Sequence, residues 1–449
     1  MKKWLIPLII VVILVAGFFL LKPRIATYYY TQGKELSDSA RFEQAIEQYD
    51  RALWLDDSRA EFFQAKALAL DSLEQYKPAI DAYNKALKID STDARGYFYR
   101  GMSYADLDKI NRAIKDFTQS IHLDNETPEP YYNRGVARMK QENFNKAVRD
   151  FTSVIKLDST FADAYFNRGA SYRELGKKQK AVDDYSKALN LGMDNLGIYK
   201  QRAKALSDTK NYEEAISDYT RIIELTGGSQ KLYYQRGYLH FLLNQYKNAI
   251  PDFSEALEYE KPHRDALYYR GHAHSQVQNY QKAIADFSEV LENEPENEKL
   301  WFNRGLARMH KGDFKAARND LQKTLNLKPR HTKAHFLLGM TLANLKNHSS
   351  AIEQYSQAIS LDSTYKEAYY YRGVSYGIQK KHQKAINDYS KAIGLDSTYA
   401  MAYYNRGVST VSINKFGKGC EDFYKALDLG FEKARQMIKT YCKNQSRDE

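Results

Sequence analysis

The pentapeptide YYNRG occurs at residues 131–135 and again at residues 403–407. Close variants stand in the same register: YFNRG at 165–169, WFNRG at 301–305 and YYYRG at 369–373. The spacings between the closing glycines are all multiples of 34 residues. A fixed period of this length is typical of an array of similar structural units.

Three columns of residues repeat with this period, without an insertion. The closing position of the motif always holds Gly or Ala: Gly33, Ala67, Gly101, Gly135, Gly169, Ala203, Gly237, Gly271, Gly305, Gly339, Gly373 and Gly407. Twelve residues later stands a second small residue: Ala45, Ala79, Ala113, Ala147, Ala181, Ala215, Ala249, Ala283, Ala317, Ala351, Ala385 and Gly419. Four residues further on stands a large one: Tyr49, Tyr83, Phe117, Phe151, Tyr185, Tyr219, Phe253, Phe287, Leu321, Tyr355, Tyr389 and Phe423. Small residues at two facing points let antiparallel helices approach closely, and the large side chain fills the space beside them.

This pattern resembles the tetratricopeptide repeat, which has small residues at positions 8, 20 and 27 and large ones at positions 4 and 24. The resemblance covers residues 26–433 and implies an all-α fold, a right-handed superhelical solenoid of about twelve 34-residue helix-turn-helix repeats. It also implies that the first helix of each repeat, helix A, lines a concave groove for an extended peptide or a partner helix. The predicted repeats are 26–59, 60–93, 94–127, 128–161, 162–195, 196–229, 230–263, 264–297, 298–331, 332–365, 366–399 and 400–433.

The chain departs from the family at position 32, where proline is usual. Only Pro295 and Pro329 occur there, and Asp-Ser-Thr turns such as residues 396–398 replace proline elsewhere. These residue types favour turns and cap helices, so the departure is compatible with the fold.

A solenoid needs a covered end. Phe431, Ala434, Ile438 and Tyr441 form an apolar stripe at helical spacing. We therefore predict a C-terminal cap helix starting at about residue 431, with a polar tail completing the segment 434–449.

Residues 1–25 differ from the rest of the chain. An uncharged run from Trp4 to Leu21 lies between Lys2 and Lys3 on one side and Lys22 and Arg24 on the other. A helix over residues 4–21 would span about 27 Å, close to the thickness of a bilayer core. The alternative is a cleavable signal peptide, but no good small-x-small cleavage site follows the run. We predict an uncleaved signal anchor that forms a single-pass transmembrane helix.

Charge is distributed along the whole array. The chain has a formal net charge of +11, with 27% charged and 43% apolar residues, a composition that argues against disorder. Arginine precedes the small residue in nine repeats, and an aspartate follows sixteen residues later in each of them. The resulting pairs are Arg100-Asp116, Arg134-Asp150, Arg168-Asp184, Arg202-Asp218, Arg236-Asp252, Arg270-Asp286, Arg304-Asp320, Arg372-Asp388 and Arg406-Asp422.

The three repeats without the arginine also lack the aspartate. They carry Gln32, Lys66 and Leu338 in the first column and Gln48, Ala82 and Gln354 in the second. Positions that change together indicate contact. We predict structural ion pairs across each hairpin. These pairs remove nine arginines from any binding surface, and no dense basic patch remains, so no nucleic-acid partner is expected.

Position 5 of helix A faces the groove in the family, and here it is mostly aromatic. The row reads Tyr30, Gln64, Phe98, Tyr132, Phe166, Lys200, Tyr234, Tyr268, Phe302, Phe336, Tyr370 and Tyr404, and one residue later stand Asn133, Asn167, Asn303 and Asn405. By the resemblance, the rings would contact a peptide and the amides would bond its backbone. Packing against the neighbouring helix A is an equally good interpretation.

The sequence contains none of the motifs expected of an enzyme or a metal site. No His-Glu-x-x-His, glycine-rich phosphate loop or nucleophile elbow occurs. His272 and His274 are two residues apart on a predicted helix and would point to different faces. We predict no catalytic residues, no cofactor and no metal.

Cys420 and Cys442 are the two cysteines of the chain. Gly430 marks a turn between them, so an antiparallel hairpin would place both thiols at about the same height. A disulfide would staple the cap to the array and would place it in an oxidising compartment. The alternative is two small buried residues. With the Lys-Lys start, the disulfide favours a cytoplasmic N-terminus and a periplasmic or other extracytoplasmic solenoid.

These features favour a membrane-anchored scaffold or adaptor that binds a protein or peptide segment in its groove, in the bacterial cell envelope. Two alternatives stay open: an extracytoplasmic binding module for peptidoglycan or another polymer, and a cytoplasm-facing assembly factor. The partner and the oligomeric state are not predicted.

Overall fold

A computed structural model describes residues 5–259 and 263–442, with side chains from residue 21 onwards. These residues form 25 α-helices and no strand. The A helices are α1 (Leu5–Asp38), α3 (Ala60–Ser72), α5 (Ala94–Asp106), α7 (Pro128–Lys140), α9 (Ala162–Glu174), α11 (Leu196–Asp208), α13 (Gln230–Leu242), α15 (Arg264–Gln276), α17 (Glu298–Lys311), α19 (Thr332–Asn344), α21 (Lys366–Ile378) and α23 (Ala400–Val411). The B helices are α2 (Phe42–Leu55), α4 (Tyr76–Ile89), α6 (Ile110–Leu123), α8 (Phe144–Leu157), α10 (Lys178–Asn190), α12 (Tyr212–Thr226), α14 (Tyr246–Leu257), α16 (Tyr280–Asn293), α18 (Phe314–Leu327), α20 (His348–Leu361), α22 (His382–Leu395) and α24 (Phe416–Asp428), and α25 (Ala434–Tyr441) follows.

The turn from helix A to helix B has the same backbone conformation in every repeat. One turn residue, at the same position of every repeat, has a positive φ: Ala40, Glu74, Asp108, Glu142, Gly176, Lys210, Asn244, Gln278, Gly312, Lys346, Lys380 and Asn414. The following amide N–H bonds back to a carbonyl of helix A, as Gln75 does to Leu70 at 2.9 Å. This bond satisfies a free carbonyl at the helix end. Each A–B pair is therefore closed by the same tight turn.

The turn from helix B to the next helix A is stabilised by an aspartate. In the fourth repeat the Asp158 carboxylate accepts hydrogen bonds from the Thr160 amide at 2.8 Å and from its hydroxyl at 2.6 Å. The same two bonds recur at Asp90, Asp362 and Asp396. The threonine hydroxyl donates to the ionised carboxylate and lowers the pKa of Asp158. These turns occupy the place that proline holds in the family.

Each hairpin is packed around the three repeating columns. Phe151 is fully buried, and a Cβ added to Gly135 would lie 2.8 Å from its ring. Ala147 is also fully buried. Glycine at the first column therefore lets the aromatic ring of helix B sit against the backbone of helix A. Ala67 and Ala203 show that a methyl group is accommodated in two repeats.

The chain divides into two compact units, Met1–Leu225 and Thr226–Glu449. The first contains the A and B helices of repeats one to six, and successive helices from α1 to α11 pack on one another. The second contains repeats seven to twelve, in which successive helices from α13 to α25 pack in the same way. Each unit is therefore built from consecutive hairpins that pack on their neighbours.

The predicted anchor and the first A helix are not separate elements. The single helix α1 runs from Leu5 through Pro23 to Asp38. Residue 4 lies outside the described residues, and the side chains of most of the predicted span 4–21 do so as well. Among the residues that the structure describes, no helix meets the length and apolar content needed to cross a bilayer.

The cap helix starts later than predicted. Gly430 has a φ of 85°, residues 431–433 continue the turn, and α25 begins at Ala434. Ala434 is fully buried against the last hairpin, whereas Tyr441 is 39% exposed. Residues 443–449 of the predicted tail lie outside the described part of the chain.

Candidate functional site

All nine arginine-aspartate pairs lie within hydrogen-bond distance, with closest N–O distances from 2.5 to 2.9 Å. In the fifth repeat, Arg168 donates from Nε to Asp184 at 2.8 Å and from Nη2 to its other oxygen at 2.7 Å. Asp184 is 5% exposed. The hydrogen bonds that Arg168 donates to the Asp184 carboxylate raise the pKa of Arg168. The pair is a buried two-point contact between helix A and helix B of one repeat.

The same arginines also reach the preceding repeat. Nη1 of Arg168 donates to the Thr152 hydroxyl at 3.3 Å, and its guanidinium lies 5.4 Å from the Tyr165 ring centroid. The contact recurs as Arg100 to Asn84, Arg134 to Thr118, Arg202 to Ser186, Arg270 to Ser254, Arg304 to Ser288, Arg372 to Ser356 and Arg406 to Ser390. In these eight repeats the guanidinium therefore joins three helices, and three of its five N–H donors are used inside the fold. Ser, Thr or Asn directly after the large residue of helix B is the sequence signal for this contact.

One of the three exceptions to the pattern is compensated locally. Lys66, which replaces the arginine in the second repeat, pairs with Asp50 of the preceding repeat. In repeats four and nine, which keep the regular pair, a second arginine also contacts the buried aspartate. Arg138 lies 2.6 Å from Asp150, and Arg308 lies 2.8 Å from Asp320.

The aromatic row at position 5 is mostly engaged in packing. Tyr132 lies 5.9 Å from Phe151 of its own helix B and 5.1 Å from Phe161 in the next turn, measured between ring centroids. Two of the rings, Phe336 and Tyr370, are buried, and the other aromatic members are half-buried. Repeated contacts of this kind occur for Tyr30, Phe98, Phe166, Tyr234, Tyr268, Phe302, Phe336, Tyr370 and Tyr404. The row therefore contributes mainly to the core between repeats.

The asparagines of position 6 also make internal bonds. Asn167 donates to the Tyr132 hydroxyl at 2.9 Å, and Asn405 donates to the Tyr370 hydroxyl at 2.8 Å. Asn133 donates to a backbone carbonyl of its own helix, that of Glu129, at 3.0 Å. Asn303 is half-buried on α17. In the fourth-to-fifth and eleventh-to-twelfth pairs of repeats, the amide thus links two A helices.

A cluster of five aromatic side chains lies on the A helices of repeats seven and eight, and we call it the aromatic cluster: Tyr234, Tyr238, Phe241, Tyr269 and His272. The Tyr269 ring lies 4.9 Å from Tyr238 and 5.1 Å from Phe241 between centroids. His272 lies 5.3 Å from Phe241. All five are half-buried, so part of each ring stays open to solvent.

The aromatic cluster breaks the repeat pattern at positions 9 and 12. Tyr238 and Phe241 stand where the fourth repeat has Val136 and Met139. The family signature does not specify these positions, so a search for signature residues passes over them. Comparison of the repeats at each position reveals the change.

The two histidines of repeat eight are buried or half-buried: His274 is 5% exposed and His272 is half-buried. Burial lowers the pKa of both His272 and His274. Among the described residues, no group of three or more His, Cys, Asp or Glu side chains is arranged to hold a metal ion.

Cys420 and Cys442 form a disulfide that joins α24 to the end of the cap helix. Cys420 is 5% exposed. The bond lies in the twelfth repeat and the cap helix, whereas the aromatic cluster belongs to repeats seven and eight.

Models of the tetratricopeptide repeat match most of the array. The matched segments are 30–94, 128–161, 162–191, 196–227, 234–298, 268–325, 302–366 and 367–399. The chain belongs to the tetratricopeptide repeat family. The twelve TPR hairpins and their buried small residues are therefore shared with that family, whereas the aromatic cluster is particular to two of the repeats.

Several solved TPR structures resemble the chain in part. MamA is 27% identical over 37% of this chain and 96% of its own, with a TM-score of 0.35. PilF of Pseudomonas aeruginosa is 19% identical over 46% of this chain and 95% of its own, with a TM-score of 0.41. Yeast Tom70 is 17% identical over 95% of this chain and 97% of its own, with a TM-score of 0.36. All three TM-scores lie below 0.5, and the overlaps are no basis for assigning a function. No curated protein matches the chain significantly.

Proposed function

We propose that this TPR chain is a protein-interaction scaffold that binds an apolar segment of a partner protein at the aromatic cluster of repeats seven and eight. The observation that carries the proposal is the placement of half-buried rings at Tyr238 and Phe241, where the fourth repeat has Val136 and Met139. Partly exposed tyrosine and phenylalanine side chains supply large contact areas and are enriched at protein interfaces. Tyr238 and Phe241 also pack against the core around Phe253, but the fourth repeat fills the same positions with the smaller Val136 and Met139.

The surrounding chemistry favours an apolar segment over an acidic one. Burial lowers the pKa of His272, which favours its neutral form. The nearby Arg270 is paired with Asp286 and with Ser254. The cluster therefore offers ring faces and edges, the charge of Arg270 is paired inside the fold, and the nearby Asp265 carboxylate would repel an acidic segment.

We also propose that the scaffold is tethered to a membrane by residues 4–21 and that the array is extracytoplasmic, in a bacterial periplasm. The uncharged run from Trp4 to Leu21 supports the tether. The disulfide between Cys420 and Cys442 supports an oxidising compartment.

The binding proposal is tested with the double variant Tyr238→Val/Phe241→Met, which gives repeat seven the residues of repeat four. The chain is crosslinked to its partners in living cells and then captured from a detergent extract. Proteins that are captured with the wild-type chain should be absent when this variant is used. Met139→Ala in repeat four is the matched control and should retain them. Unchanged capture of the same proteins by the double variant would show that the partner binds elsewhere. Selective binding of the wild-type chain to a glycan array would favour the polymer-binding alternative.

The compartment is tested by alkylating Cys420 and Cys442 in intact cells before and after reduction. Protection that disappears on reduction is the expected result. Free thiols in the untreated native protein would contradict an extracytoplasmic array.

A further inference from the structure

The first repeat has an exposed apolar surface that none of the other repeats has at the same position. Trp54, on α2, is 78% exposed. The equivalent residues of the other repeats are polar or glycine: Lys88, His122, Lys156, Asn190, Glu224, Glu258, Glu292, Asn326, Ser360, Gly394 and Asp428. A tryptophan so exposed contributes little to the core, and it indicates an interaction surface where it belongs to a contiguous apolar patch.

Trp54 belongs to a larger apolar surface that continues onto α1. With Ile25, Tyr29 and Leu55 it lines an open cleft of about 530 Å³. Tyr28 and Leu21, on the same helix, are 60% and 50% exposed. We call Leu21, Ile25, Tyr28, Tyr29 and Trp54 the juxtamembrane patch.

The juxtamembrane patch is bordered by positive charge. Arg24 and Arg51 are exposed, and the Arg51 guanidinium lies 5.8 Å from the Tyr29 ring centroid. Asp50 also lines the cleft, but it pairs with Lys66. Aromatic rings bordered by arginine suit the boundary between lipid headgroups and acyl chains.

The position of the juxtamembrane patch along α1 favours a lipid surface over a protein as the partner that covers it. The helix is continuous from Leu5 to Asp38, so no linker separates the apolar run from the first repeat. Ile25 follows Leu21 by four residues, a rise of about 6 Å. The headgroup layer on each side of a bilayer core is about 5 to 8 Å thick. If the run ends at the edge of the bilayer core, Ile25 and the adjoining Trp54 therefore lie within the headgroup layer.

We propose that the first TPR hairpin docks on the bilayer surface through the juxtamembrane patch, with Trp54 in the headgroup region and Arg24 and Arg51 facing anionic lipid phosphates. This inference rests on the proposed tether and adds a second contact to it. The docked hairpin would fix the angle at which the array leaves the membrane.

The test uses the full chain reconstituted into vesicles of phosphatidylcholine and phosphatidylglycerol, with or without bromine on the acyl chains near the headgroups. Trp4→Phe/Trp301→Tyr leaves Trp54 as the only tryptophan, and Trp54→Phe/Trp301→Tyr leaves Trp4. Emission of Trp54 should fall in the brominated vesicles relative to unbrominated vesicles of the same charge. The loss should be smaller when phosphatidylglycerol is omitted.

The two variants separate docking from tethering. Quenching of Trp4 with unquenched Trp54 would overturn the docking and leave the tether standing. Quenching of Trp54 alone would support the docking and contradict the tether, and quenching of neither would overturn both. Unquenched Trp54 that is shielded from acrylamide would show that protein, such as a second copy of the chain, covers the patch, and would also overturn the docking.

Discussion

At the scale of single residues, the arginine before each small residue is a structural brace. Arg168 contacts Asp184 in its own repeat, Thr152 in the preceding repeat and the ring of Tyr165. Three of the five N–H donors of this guanidinium are used inside the fold, and the side chain is only 16% exposed, so little of it is open to a phosphate or a peptide. The regular row of arginines therefore stabilises the array and leaves recognition to other residues.

This account predicts strong coupling between Arg168 and Asp184. Arg168→Met and Asp184→Leu should each lower the unfolding free energy of this region by about 3 kcal/mol, because each change leaves a buried polar partner behind. The loss of unfolding free energy in the double variant should be smaller than the sum of the two single losses by about 1 kcal/mol or more. Hydrogen exchange of the fifth repeat measures all three, and additive losses would refute the pairing.

Lys66 and Asp50 provide an exposed comparison for the buried pair. Their side chains are 25% and 53% exposed. Lys66→Met should therefore cost less than about 1 kcal/mol. A loss as large as that of Arg168→Met would mean that burial does not set the strength of these pairs.

At the scale of the elements, the A–B turn stores a small strain in most repeats. Lys380 has a φ of 59°, a conformation that costs a non-glycine residue about 1 kcal/mol. Lys380→Gly should raise the stability of the eleventh repeat by about 0.5 kcal/mol, since glycine also loses more chain entropy on folding. Denaturant unfolding monitored by hydrogen exchange measures the change.

The ninth repeat allows the opposite substitution, from glycine to a residue with a side chain. Gly312 has a φ of 90° at the same turn position, so Gly312→Ala should destabilise that hairpin by about 1 kcal/mol. A stabilising effect of alanine there would show that the turn strain has been misjudged.

The turns from helix B to helix A predict a defined response to acid. Hydrogen bonds from Thr160 lower the pKa of Asp158 below its usual 3.8, and Thr364 acts likewise on Asp362. A carboxylate whose pKa is lower in the folded than in the unfolded chain stabilises the fold at pH values above its pKa in the unfolded chain. This contribution is lost as the pH falls through the pKa of the carboxylate in the folded chain. The melting temperature should therefore change little from these groups between about pH 5 and 8 and fall below about pH 4.

Thr160→Val removes the hydroxyl donor and checks this explanation. The variant should be less stable than the wild type at pH 7, and the difference should shrink as Asp158 becomes protonated. A constant difference across the acid range would contradict it.

The cap helix is attached by both packing and a covalent bond. Twenty-two residues separate Cys420 and Cys442, a loop for which a disulfide stabilises by about 3 kcal/mol. Cys442→Ser should accelerate hydrogen exchange in α24 and α25 and leave the middle repeats of the second unit unaffected, because repeat arrays open from their ends. Equal acceleration throughout that unit would indicate a more cooperative fold.

At the scale of the whole molecule, the sequence predicted the architecture because the same information recurs with a 34-residue period. The family assignment and the all-α fold are confirmed. The contact from Arg168 to Thr152 was not predicted, since it depends on how neighbouring hairpins stack. The apolar run and the repeat register predicted an anchor over residues 1–25 and a repeat from residue 26, whereas the single helix α1 contains both and continues through Pro23.

The candidate site was less predictable than the fold. The family signature drew attention to position 5, but rings such as Tyr132 are used largely in packing. Tyr238 and Phe241 lie at positions that the signature leaves open, and only their contacts with Tyr269 show that they form one surface. The membrane tether and the periplasmic location remain predictions.

The central claim is that recognition occurs at the aromatic cluster. Photocrosslinking in living cells tests it most directly, with a benzophenone amino acid placed at Phe241 and, for comparison, at Met139 of the fourth repeat. The account predicts a discrete adduct with a partner protein from position 241 that is absent from position 139. Adducts from position 139 alone, or none from either position when the probe is shown to be active, would contradict it.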